Sequence, residues 1–157
     1  MQTDLTPGPD AAFDVVMQQN GRFVAVGTAA GISVAVRYRT DGSIDPTFGD
    51  RGVVALAVGR GFNFFSSVER GNDGDLVFAG RAGGQGGRMV IARVDAGGDP
   101  DTSFSNDGFQ LVNFTAGDDW AWDVEGQNGR FVLVGAAEGT GFSMAVARIN
   151  SSGNLDP

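Results

Sequence analysis

The chain contains no cysteine, no histidine and no lysine. Without cysteine there is no disulfide framework and no thiolate ligand. Without histidine there is no Ser-His-Asp triad and no imidazole base. The two absences together exclude zinc or transition-metal ligation through nitrogen or sulfur. Every cationic side chain is an arginine, and 11 arginines face 19 acidic residues, giving a net charge of −8. That balance argues against a nucleic-acid partner and against an anionic membrane surface, both of which select a positive field. No apolar run is long enough for a membrane-spanning helix. The N-terminus lacks a basic stretch followed by an apolar one, so no signal peptide is expected in this segment.

What the chain does have is glycine, 26 among 157 residues, and much of it recurs in register. Asn20-Gly21-Arg22-Phe23-Val24-Ala25-Val26-Gly27 returns as Asn128-Gly129-Arg130-Phe131-Val132-Leu133-Val134-Gly135. A looser copy, Asp73-Gly74-Asp75-Leu76-Val77-Phe78-Ala79-Gly80, lies between them. Periods of this size mark stacked or radially arrayed supersecondary units.

Each repeat reads as four short strands. The first, near Phe13–Val16, Phe65–Val68 and Trp122–Val124, runs to Asn20-Gly21, Asp73-Gly74 or Asn128-Gly129, where a type I′ hairpin is expected. The second is the repeated segment. The third alternates, as in Val34-Ala35-Val36-Arg37-Tyr38, and the fourth follows a turn at Gly52–Leu56 and Gly108–Val112. No helical periodicity competes. The repeats span approximately 11–63, 64–118 and 119–157, within a single segment covering 1–157. Gln2–Asp10 aligns with Leu111–Asp119, so residues 1–10 are expected to supply an N-terminal strand, the fourth strand of a unit. Three sets of four strands, cut one strand out of phase, predict an all-β fold of the β-propeller class with three blades per chain. Propellers hold about four to eight blades, so two chains would close a six-bladed ring as a homodimer, exchanging the N-terminal strand. A segment of a longer repeat protein is the other reading of the same phase.

The stretches Asn20–Gly27, Val34–Tyr38 and above all Asp41-Gly42-Ser43-Ile44-Asp45-Pro46-Thr47-Phe48-Gly49 resemble the delta-60 repeat. The resemblance covers essentially the whole chain, with Gly97-Gly98-Asp99-Pro100-Asp101 departing from it in the middle repeat. It implies a β-propeller in a bacterial surface or secreted protein, hence an extracellular location. It brings no catalytic residues with it.

Candidate sites follow from what repeats and what does not. Arg37, Arg93 and Arg148 occupy one strand position, and Asp45, Asp101 and Asp156 one turn position. The arginines read as a ring of anion binders or as structural ion pairs, with Asp14 and Asp123 as partners in two repeats. The aspartates read as turn caps. Oxygen-rich pairs at Asp41/Asp45, Asp73/Asp75 and Asp99/Asp101 make calcium a candidate ligand, although none completes a known calcium loop. Otherwise no cofactor is expected. A carboxylate pair, Asp14 with Asp123 or Asp118 with Asp119, would be the basis of a glycosidase or lyase; their place in a repeat argues for a noncatalytic scaffold instead. The feature that breaks the repeat is aromatic: Phe62-Asn63-Phe64-Phe65 and Trp120-Ala121-Trp122. Phe62, Asn63, Phe64, Asp118, Asp119 and Trp120 are therefore the candidate ligand-binding set, suited to a glycan or peptide. Packing between blades or across a dimer seam is the other reading.

Overall fold

The computed structural model describes residues 2–59, 61–71 and 74–156. Its strands are β1 (Asp10–Met17), β2 (Phe23–Ala29), β3 (Ile32–Tyr38), β4 (Val53–Leu56), β5 (Phe64–Arg70), β6 (Leu76–Ala82), β7 (Arg88–Val94), β8 (Phe109–Val112), β9 (Asp119–Gln127), β10 (Arg130–Glu138) and β11 (Phe142–Ile149). They form three antiparallel sheets in which neighbours in sequence are neighbours in space: β1-β2-β3-β4, β5-β6-β7-β8 and β9-β10-β11. This is the all-β, three-unit arrangement expected from the repeats. Among the described residues the third unit has three strands rather than four.

The repeated glycine that closes each copy of the motif has a steric cause. The first strand of every unit carries a β-bulge at the same place, skipping Phe13, Ser66 and Trp122 in the three registers. The bulge swings a carbonyl over the neighbouring strand at Gly27, Gly80 and Gly135. A Cβ there would collide with the backbone oxygens of Ala11, Phe64 and Trp120 respectively. An extra residue on one strand is thus accommodated by a missing side chain on the next.

The hairpins divide. Asn128 and Gly129 both have positive φ, 54° and 74°, and Gln127 pairs with Arg130, as a two-residue type I′ loop requires. In the first repeat the pairing ends at Met17–Phe23, so Asn20-Gly21 sits in a five-residue loop. There the Asn20 side chain accepts the Arg22 amide at 3.1 Å, and only Gly21 takes positive φ. A local side-chain turn has replaced the tighter hairpin. The Asp73 half of the middle hairpin lies outside the described residues.

Residues 1–10 also differ from expectation. Among the described residues 2–9 there is no strand. Asp10 instead accepts the Leu5 and Thr6 amides (2.7 and 3.2 Å) and the Thr6 hydroxyl (2.8 Å). Asp119 makes the same three bonds to Phe114 and Thr115. Leu5–Asp10 is therefore the connection between units, matching Phe114–Asp119, and only the residues before it fall at a fourth-strand position.

Two apolar layers hold the units together. One unites Val24, Val26 and Ala35 of the first sheet with Phe65, Val68, Phe78 and Val90 of the second. The other unites Val77, Ala79, Met89 and Ile91 of the second sheet with Val124, Phe131, Leu133 and Ile149 of the third. The second sheet is thus covered on both faces, and β6 is buried at all seven positions.

Gly80→Ala should destabilise the chain by about 3 kcal/mol or more, the range for overpacking a site that cannot relax. Gly141→Ala, whose new methyl group would meet nothing within 4 Å, should stay within about 0.5 kcal/mol. Urea unfolding of the two variants checks this; equal effects would remove the bulge as the reason for the repeated glycine.

Candidate functional site

The repeated arginines point away from the partners expected for them. Asp14 and Asp123 lie on β1 and β9, the first strands of their units, and bind elsewhere: Asp14 accepts the Val68 amide at 2.9 Å and Asp123 the Ser67 hydroxyl at 2.7 Å. The arginines pair instead with the repeated turn aspartates. Arg37 meets Asp45 at 2.9 Å, Arg93 meets Asp101 at 2.6 Å and Arg148 meets Asp156 at 2.8 Å. The reason is topological: the turn after the third strand folds back on it, putting the aspartate beside the arginine eight residues earlier.

The first two pairs each belong to a larger clamp. Arg37 also donates to the Thr47 hydroxyl at 3.0 Å and to the Ala96 carbonyl of the next unit at 2.6 Å. Its guanidinium lies 4.6 Å from the centre of the Phe48 ring. Arg93 repeats every contact, with the Ser103 hydroxyl, the Ser151 carbonyl and the Phe104 ring. Backbone bonds run alongside, Gly49 to Gly97 at 2.8 Å and Ser105 to Ser152 at 2.9 Å. The clamp thus joins one turn to the equivalent turn of its neighbour. Burial opposes ionisation of Asp45, but hydrogen bonds from Thr47 and the charges of Arg37 and Arg22 outweigh it and hold the carboxyl below its usual range. Hydrogen bonding from Ser103 leads the same effect at Asp101.

The six candidate ligand-binding residues separate into two groups. Asn63 and Asp119 are buried at equivalent positions. Asn63 donates to the Gly31 and Gly61 carbonyls and accepts the Gly83 amide, while Asp119 caps the preceding connection. Asp118 pairs with Arg81 at 2.8 Å and accepts the Gly87 amide. Burial works against its charge, but those partners keep its carboxyl ionised below the ordinary value. The aromatic members form the second group, with Phe62 exposed, Trp120 half-buried and Phe64 buried beneath them, joined by three exposed residues outside the expected set: Phe13, Trp122 and Phe142.

Phe64 is the centre of that group. Its ring lies 5.7 Å from Phe13, 5.8 Å from Phe62 and 6.2 Å from Trp122. Trp122 stacks on Trp120 at 6.2 Å with 4° between the planes, and Phe142 continues the row at 5.6 Å. Phe13, Phe62, Phe64, Ser66 and Trp122 line an open cavity of about 300 Å³. Phe13, Phe62 and Trp122 are each 52% exposed, whereas Phe65 is fully buried. The sequence signal for Phe13 and Trp122 is their shared bulge position, visible only once the glycine opposite is recognised as its complement. Arg81, present only in the middle repeat, braces this cavity by donating to the Phe62, Gly83 and Gly84 carbonyls.

Three of the six carboxylates proposed for calcium have other partners. Asp41 accepts the Ser43 amide and hydroxyl, Asp45 and Asp101 serve the clamps, and Asp73 lies outside the described residues. Among the described residues no group of three or more His, Cys, Asp or Glu side chains is placed to hold a metal.

Bladelike sheets side by side, tied turn to turn and packed face to face, define a β-propeller repeat protein. The profile of the family described as "Domain of unknown function (DUF5122) beta-propeller" matches residues 18–48, 71–104 and 126–157. Those three matches fall on the three units and cover more than half of the chain, which belongs to this family. No curated protein matches the chain.

Asp45→Ala should cost about 3 kcal/mol, because it strands the buried Arg37 guanidinium. Asp50→Ala, which breaks the fully exposed pair with Arg51, should cost less than about 1 kcal/mol. With the folded pKa values of Asp45, Asp101 and Asp118 depressed, their stabilisation is present above the ordinary value of 3.8 and lost as pH falls through the folded values. Urea titrations from pH 6 to pH 3 should therefore show a steeper loss for the parent chain than for Asp101→Asn.

Proposed function

We propose that the chain is a noncatalytic ring-forming module, one half of a six-bladed propeller completed by a second copy. The observation that supports this is a pair of unmatched faces. The pairs Gly27–Val34, Gly80–Val90 and Gly135–Ala145 set the correspondence between units. By that correspondence Ala79, Met89 and Ile91, all fully buried, become Val134, Met144 and Val146, which are 41%, 87% and 53% exposed. At the other end Val68 and Val124, both buried, become Val15, which is 57% exposed. One end of the chain thus carries one half of an interface that the chain already makes twice, and the other end carries its complement.

A contact between such unlike faces is heterologous and closes only if its rotation returns to the start. Two chains of three blades reach six, inside the known range. The outer edge of β11 at positions 144–147, which no strand among the described residues pairs, would then lie against the N-terminal residues of the other copy, where a fourth strand belongs; covering that edge removes a template for aggregation. Scaffold rather than catalyst is supported by the duties of Asp14, Asp118, Asp119 and Asp123, the candidate catalytic carboxylates, which are spent on an ion pair, a cap and strand-to-strand bonds. Likeness of Asp41–Gly49 to delta-60 repeats supports a place in a bacterial surface or secreted protein.

Sedimentation equilibrium should return twice the 16.2 kDa of one chain. Val146→Asp, which puts a charge at the centre of the contact, should raise the dissociation constant at least about tenfold. A parent chain at 16.2 kDa over the micromolar range would overturn the proposal.

A further inference from the structure

The cavity under the aromatic row is almost without polar groups to offer. Ser66 is its one hydroxyl, and its proton is committed to the Ala121 carbonyl at 2.7 Å, with Ala79 at 3.1 Å. A sugar ring would find stacking faces there but few groups to satisfy its hydroxyls, and such groups carry the specificity of a polar ligand. The electrostatic surroundings point another way. The first strands β1, β5 and β9 that carry the cavity also carry Asp14, Glu69, Asp123 and Glu125, against the single Arg70. Asp14 and Asp123 are the residues immediately after the bulged Phe13 and Trp122. Glu69 is near enough to Glu125 and Asp123 that, after burial, their charges add to raising its carboxyl pKa. Aromatic faces with negative electron density, carried on acid-rich strands in a chain of net charge −8, attract positive charge and tolerate bulk.

We propose that the cavity formed by Phe13, Phe62, Phe64 and Trp122 binds an organic cation, an alkylated ammonium group seated against Trp122 and Phe64. All lining residues come from one chain, so the site does not depend on ring closure. Arg81 is a positioning residue for it, holding the Phe62 backbone at the rim while its own charge is spent on Asp118.

Choline is the probe, followed by the fluorescence of Trp120 and Trp122, the only two tryptophans. It should quench saturably, and 3,3-dimethylbutan-1-ol, its neutral isostere, should bind at least about tenfold more weakly, the range of a desolvated cation–aromatic contact. Phe13→Ala, at an exposed bulge position, should weaken choline about threefold to tenfold, and Trp122→Ala, followed by calorimetry, at least as much. Raising the salt should weaken the charged probe and leave the isostere unchanged. Equal affinity for the two probes would overturn the proposal, as would glucose or cellobiose binding where choline does not, or no saturable response to choline. The comparison of probes needs no variant, so it stands even where a substitution disturbs folding, and it is read whether the chain sediments as one copy or two.

Discussion

The guanidinium of Arg37 has Asp45 and Thr47 of its own unit on one side and the Ala96 carbonyl of the next unit on the other. A buried arginine is costly to desolvate unless nearly all its donors are used. Here that condition is met only when the neighbouring turn is in place. The same requirement recurs at Arg93 and Ser151. Adjacent sheets are therefore fixed in angle and register at their turn ends by charge-assisted hydrogen bonds, and the apolar layers between them pack within that frame. At the other end the bulges set the first strands, with a glycine of the second strand filling the space beneath each displaced carbonyl.

Because the clamp and the apolar layer are directional, each unit has a donating face and a receiving face. The middle unit uses both. The first uses its donating face and leaves Val15 exposed; the third uses its receiving face and leaves Val134, Met144 and Val146 exposed. Isolated exposed apolar residues are ordinary on a protein surface. Exposure confined to positions that are buried in every other copy is a different matter, and it gives the proposed ring its definite geometry. The aromatic row is a region where the units diverge, which is where a repeat scaffold is free to acquire recognition.

Much of the fold was legible in the sequence because local chemistry repeats with it. The three glycines, the alternating third strands and the register of Arg37, Arg93 and Arg148 with Asp45, Asp101 and Asp156 all placed elements correctly. The partners of those arginines were not legible: Asp14 and Asp123 share their repeat, but the turn that folds Asp45 back onto Arg37 is a tertiary fact. Residues 1–10 aligned correctly with 110–119 yet were read as a strand, because an Asp-capped connection and a short strand look alike without their hydrogen bonds. The aromatic site was half legible. Phe62, Phe64 and Trp120 stood out as breaks in the repeat, whereas Asn63, Asp118 and Asp119 beside them turned inward. Trp122 stood out with Trp120 but was left outside the candidate set, and Phe13 joined the row only through the bulge that the two positions share.

Small-angle X-ray scattering tests most directly whether the two unmatched faces complete one another. A closed pair of these chains, compact for its size, should have a radius of gyration of about 20 Å, constant over the concentration range in which mass is constant. A value near about 15 Å, as for one compact chain, would contradict the account. So would a larger value that grows with concentration, because unlike faces would then be joining end to end without closing.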